Sequence, residues 1–183
     1  MEIVDTKQRY GIISRTFHWV MALMMVILWT VGVLLANHII PQESRGEVMG
    51  THKSIGILIL CIAILRVLWR ILNKRSPSGE KFPLFSRILY TINTYLFYGL
   101  MFIFPLSGIA MTLASGRSLA IFGTTIISSL PKDLLSPMVG KYAHQTHEIC
   151  GYLFIVALFL HIAGAVFHTF FLKDNLLGRM WGK

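Results

Sequence analysis

Seven histidines lie along the chain, at positions 18, 38, 52, 144, 147, 161 and 168. Histidine inside an apolar segment is rare and its default reading is functional. His147 and His161 are 14 residues apart in one apolar stretch. At about 100° per residue that spacing falls roughly 40° short of four full turns, so both rings project from one helix face. They are about 21 Å apart along the axis. One helix therefore presents imidazole at two depths, and each ring needs a partner from another helix. His52 opens an apolar run from the same side as His147, and His18 opens one from the opposite side, where the returning helix brings His161. The expected pairs are His52 with His147 and His18 with His161. Two opposed imidazoles close the axial positions of a haem, and helix bundles are a known place for such cofactors. Zinc takes three or four N/S ligands close together, so two separated pairs fit two haems better than zinc.

Neighbouring residues suit that chemistry. Gly56 follows His52 by four, Gly151 follows His147 by four, and Gly164 follows His161 by three, which sets a missing side chain one turn from each ligand. Such glycines leave flat space for a porphyrin, or let helices approach closely. Cations for propionates are available as Arg45, Lys53 and Arg117 on one side and Arg15, Arg66 and Arg70 on the other. Arg66 and Arg70 also serve the alternative of interfacial anchors. His144 is displaced by about 100° from the direction of His161, so His147 is the ligand of choice. His38 reads as an interfacial residue. His168 is seven residues past His161, about 20° off its face and about 10 Å further along, where it could protonate a quinone or simply lie at the interface.

The elements that must hold these rings are apolar. Of 183 residues, 55% are hydrophobic and 14% charged, against about 25% charged in a soluble domain. Phe17 to Ala36, Ile88 to Gly116 and Ile149 to Leu172 are charge-free and reach the roughly 20 residues that a membrane-spanning helix needs. A fourth run, Ser54 to Leu65, reaches that length by continuing to Leu72 with Arg66 and Arg70 snorkelling. The expected fold is all-α: one domain over 1–183, an integral membrane four-helix bundle with spans near 16–38, 52–72, 88–114 and 147–172. Pro105 lies inside the third span and is expected to kink it. Asn73 to Ser86 reads as a turn-rich link, with Ser76-Pro77-Ser78-Gly79 and Pro83. The link from Ser115 to Tyr142 is longer, and its apolar stretch Leu119 to Phe122 is a candidate interfacial segment.

Charge orients the spans. Lys7, Arg9, Arg15, Arg66, Arg70, Lys74, Arg75, Lys81, Arg87, Lys173, Arg179 and Lys183 fall on one side, with a net +8. Arg45, Lys53, Arg117, Lys132 and Lys141 fall on the other, with a net +1. By the positive-inside rule both termini are cytoplasmic. The net charge of +9 is accounted for by topology, without nucleic acid. The first span is too long for a signal-peptide core and has no small-residue cleavage site after it. Cys61 and Cys150 differ in depth by about 9 Å, too far for a disulfide, and read as packing residues.

The chain resembles the bacterial cytochrome b561 family over nearly its full length. The residues that carry the resemblance are Arg15-Thr16-Phe17-His18-Trp19, His52 with Gly56, Pro105 with Gly108, Gly116-Arg117, His147-Glu148, His161, His168 and the closing Lys173-Asp174-Asn175-Leu176-Leu177. The family's haem ligands map onto His18, His52, His147 and His161. The resemblance implies two haems b, ubiquinone as partner, a place in the bacterial inner membrane, and oxidation of superoxide to dioxygen at the outer face with electrons passed to ubiquinone. Lys53, Arg117 and Arg45 are then the candidates for steering superoxide, and His168 for the quinone. A cytochrome b anchor subunit that relays electrons between a partner dehydrogenase and quinone shares the same design. A histidine-lined metal or proton transporter is a third reading, distinguished by having no Soret band.

Overall fold

The computed structural model describes residues 2–6, 9–73, 84–131, 134–173 and 176–181. Four long helices dominate it: α1 (Ile12–Ala36), α2 (Gln42–Leu72), α3 (Leu84–Ala114) and α4 (Pro137–Phe167). A π-helical segment, His168–Leu172, continues α4, and a short α5 (Leu176–Trp181) follows. All four long helices are apolar and long enough to cross a membrane, the fourth counted through Leu172. In a bilayer the helix is the form in which an open chain satisfies its own backbone donors and acceptors. The β-branched content of α1 therefore does not deter it. The all-α, four-span class is as the sequence implies.

The helices outrun the apolar segments at their polar ends. α2 begins at Gln42, ten residues before His52, and α4 at Pro137, ten before His147. The first turns of α2 carry Glu43, Arg45 and Glu47, so hydropathy hides them although their helix propensity is good. α3 starts at Leu84, inside the expected link, and runs unbroken through Pro105. Residues 74–83 of that link, with Lys74, Arg75, Ser76-Pro77-Ser78-Gly79, Lys81 and Pro83, lie outside the described residues, as do Lys7, Lys132, Asp174, Asn175 and Lys183.

The contacts divide the chain into two compact units, each drawing a segment from all four long helices. One unit comprises Met21–Ala63 and Leu100–Tyr152. Its core includes Met21, Met25, Leu35, Ile57, Ile59, Ala63, Leu100, Met101, Ala143 and Cys150. The end of α1 is fixed there by backbone geometry. His38 adopts φ 56°, its N–H reaches the Leu35 carbonyl, and the Ile39 N–H reaches that of Leu34 at 3.0 Å, the pattern of a left-handed helix cap. The Arg45 guanidinium donates to the Leu35 carbonyl at 2.8 Å. His38 is exposed and ends a helix.

The stretch from Leu119 is a strand. β1 (Leu119–Ile121) pairs antiparallel with β2 (Thr124–Ile127). Phe122 and Gly123 at the turn both have positive φ, 45° and 86°, as a two-residue hairpin turn requires. Leu119 is buried, and the Phe122 N–H donates to Ser54 Oγ at 2.9 Å. Ser54 itself is buried and donates to the Gly50 carbonyl, so the hairpin is latched onto α2 two residues from His52.

The other unit comprises Met1–Val20, Ile64–Gly99 and Leu153–Lys183. Buried Asp5 accepts the Gly11 N–H at 2.8 Å and so caps the approach to α1. A Cβ on Gly11 would collide with the backbone of Ile3 and Val4, so only glycine lets this leading segment fold against the helix. Trp69 donates to Ser14 Oγ at 2.9 Å, tying α2 to α1, and Phe154 and Ala157 supply the buried face of α4.

Candidate functional site

Each unit holds one histidine pair. In the first, His52 of α2 and His147 of α4 oppose each other with ring centroids 6.4 Å apart and planes at 69°. Glycines admit both rings. A Cβ on Gly32 of α1 would stand 3.3 Å from His52 Cε1, and one on Gly108 of α3 would stand 3.3 Å from His147 Cε1. Both distances are tighter than ordinary carbon contact. Although α3 carries no histidine, it orients this site. His147 Nδ1 lies 3.1 Å from the Phe104 carbonyl oxygen and 3.0 Å from Ser107 Oγ. Ser107 is buried and donates its own proton to the Phe104 carbonyl at 2.7 Å. With a proton on Nδ1 given to these oxygens, the lone pair of His147 is on Nε2, the tautomer that ligates a metal. The two rings are held unequally, since His52 Nδ1 is buried and has no hydrogen-bond partner among the described residues.

In the second unit, His18 of α1 and His161 of α4 have centroids 6.0 Å apart and planes at 47°. Phe97 of α3 packs edge-on against His161 at 5.4 Å and against Phe154 at 6.2 Å. The Arg66 guanidinium hydrogen-bonds the Tyr98 side chain and acts electrostatically on both histidines. His161 itself is exposed, and a Cβ on Gly164 would meet nothing within 4 Å, so the flank of this ring is open. Each unit thus brings two imidazole rings to a centroid separation of 6.0–6.4 Å.

The model of the prokaryotic cytochrome b561 family matches residues 9–183. The chain belongs to that family. It is 28% identical to cytochrome b561 homolog 2 of Escherichia coli K12, over 100% of this chain and 96% of that protein. It is 25% identical to the "Probable superoxide oxidase CybB" of Yersinia pestis over 96% of this chain and 97% of that one. With cytochrome b561 homolog 1 of E. coli K12 it shares 24% identity over 89% of this chain and 91% of that one. Membership makes this a membrane electron-transfer protein of a family whose cofactor is haem b, and four spans make it multi-pass.

Within this cytochrome b561 chain the remaining site residues sort by environment. Lys53, beside His52, is half-buried, and the charge it feels most is that of Arg117, which is exposed. Arg45 is engaged with Leu35, as above. Arg70 is exposed, and Arg15 lines a groove with Trp19 and Trp181. Gly56 and Gly151 leave their Cβ positions in loose contact, 3.9 Å from Leu28 and 3.8 Å from Phe104. His144 is exposed. His168 is buried, begins the π-helical segment, and has Phe167 edge-on at 6.2 Å. Both cysteines are free, Cys150 buried in the core and Cys61 exposed outside it. The sequence reasoning missed Ser107, Phe104, Gly32, Tyr98 and Phe97. Its one signal for them was the Pro105 and Gly108 pattern in α3.

Proposed function

We propose that the protein is a di-haem b superoxide:ubiquinone oxidoreductase of the bacterial inner membrane, with both termini cytoplasmic. His52 and His147 would hold one haem b and His18 and His161 the other. The observation that carries this reading is the pair spacing. A metal–imidazole bond is about 2 Å, and the ligating nitrogen lies about 1.1 Å from the ring centre. Two imidazoles sharing one iron would have ring centroids about 6.2 Å apart, and the pairs that would hold it stand at 6.4 Å and 6.0 Å here. Glycines at the rings and the freed Nε2 of His147 fit the same group.

Haem b supplies one-electron exchange at its iron. The residues of the chain do the rest. Ser107 and the Phe104 carbonyl hold the His147 ring in register. Gly32 and Gly108 give the two rings room to turn toward one another. Arg66 and Arg70 on one side and Lys53 with Arg117 on the other are the cations that would pair with propionates. Lys53 and Arg117 are two positive charges that repel, and an anion near them relieves that repulsion, which suits superoxide as the donor. Two superoxide anions give up two electrons as dioxygen, and ubiquinone takes both with two protons. Buried His168 is the candidate to hydrogen-bond the quinone oxygen and hand on a proton.

Stopped-flow mixing of the pure protein with superoxide and ubiquinone tests this. Rapid haem reduction followed by quinone turnover without a second protein is expected. Reduction only in the presence of a partner dehydrogenase would instead make the chain an anchor cytochrome.

A further inference from the structure

A groove of about 330 Å³ runs between α1 and α5. Its wall on α1 is Ile12, Arg15, Thr16, Trp19 and Val20, positions that recur on one helix face. His18 is not on that face. The opposite wall is Met180 and Trp181 of α5. The two tryptophan rings meet at 4.9 Å, and Trp19 spends its indole N–H on the Met180 carbonyl at 3.4 Å. Apolar walls therefore surround one cation. The Arg15 Nε–H is inaccessible to solvent and has no hydrogen-bond partner among the described residues. Guanidinium keeps its proton at any ordinary pH, so this buried donor calls for an acceptor that the described residues do not supply. Among the described residues the lining contains no carboxylate.

We propose that this groove binds the headgroup of an anionic phospholipid. Phosphate oxygens match the guanidinium fork in charge and geometry, and the first acyl carbons lie along Ile12, Val20 and Met180. Paired tryptophans are the side chains that settle at the level of headgroups. The charge of the surroundings agrees, because this end of α1 belongs to the side of the chain with the basic excess. A neutral quinone carbonyl satisfies the donor but not the charge. α5 is thereby a clamp that closes over a lipid.

Native mass spectrometry of the purified, haem-loaded protein in detergent tests the assignment, with phosphatidylglycerol, phosphatidylcholine, ubiquinone or inorganic phosphate added. Phosphatidylglycerol should stay bound in preference to phosphatidylcholine and resist displacement by inorganic phosphate. Arg15→Gln should weaken its retention about tenfold, the loss expected of one charged hydrogen bond. Arg15→Lys should recover most of it, and Trp181→Leu should lower it with the charge intact, so the test survives failure of any one variant to fold. Equal retention by wild type and Arg15→Gln overturns the proposal. So does displacement of the lipid by ubiquinone, or loss of haem from Arg15→Gln with lipid retention unchanged.

Discussion

His147 lies against Gly108 so closely that a methyl group on the glycine would stand 3.3 Å from Cε1 and 3.5 Å from Nδ1 of the imidazole. The ring has little freedom to retreat, because its Nδ1 is held by Ser107 and the Phe104 carbonyl. Gly108→Ala should therefore displace the ligand and lower haem occupancy at the His52/His147 pair, read as about half the Soret absorbance per chain. Gly50→Ala is the control. Nothing lies within 4 Å of its Cβ, and alanine in a helix gains about 0.5–1 kcal/mol over glycine. Unchanged haem content in Gly108→Ala would show that the contact is slack.

Ser107 should tune the site without being needed for occupancy. Removing its hydroxyl leaves the Phe104 carbonyl to accept from Nδ1 and makes the imidazole a weaker donor. Ser107→Ala should keep both haems and raise the midpoint potential of one of them by less than about 60 mV, a tenfold change for one electron. Potentiometric titration reads this directly. A shift in the haem held by His18 and His161 would contradict the assignment of Ser107 to His147.

At the quinone end, His168→Phe should leave both haems bound and slow quinone reduction several-fold. The side chain is buried at the start of a π-helical segment, a backbone irregularity that recurs at functional sites. Unchanged quinone kinetics would make it a packing residue that closes α4.

Charge near His52 should set the encounter with superoxide. Lys53 and Arg117 are close enough to feel one another, and their field fades with ionic strength. Arg117→Glu should slow haem reduction by superoxide while the spectrum stays intact. Added salt should slow wild type more than the variant. Salt-insensitive wild-type kinetics would remove steering from the account.

The four helices and both histidine pairs were legible in the sequence for a simple reason. Apolar length and the 3.6-residue period are linear properties, and His147 and His161 share a face by arithmetic alone. The ten-residue polar starts of α2 and α4 were not, because hydropathy registers membrane and not helix. The hairpin was hidden by its shortness, although Phe122-Gly123 was a usable turn signal. Ser107 and the Phe104 carbonyl escaped because a helix without histidine looked chemically silent. An orienting hydrogen bond to a backbone oxygen leaves little trace in residue types. Arg15 was read as a propionate cation from its side of the membrane, whereas the structure sorts α1 residues by face.

The central claim is that each opposed pair of histidines holds one haem. The most direct test is haem b quantified against protein in the purified wild type and in four single variants. Wild type should contain two haems b per chain, both low-spin. His52→Ala and His147→Ala should each retain one and leave the same remaining spectrum, while His18→Ala and His161→Ala should each retain the other. One haem in the wild type, or a His52→Ala spectrum matching that of His161→Ala instead of His147→Ala, would contradict the pairing.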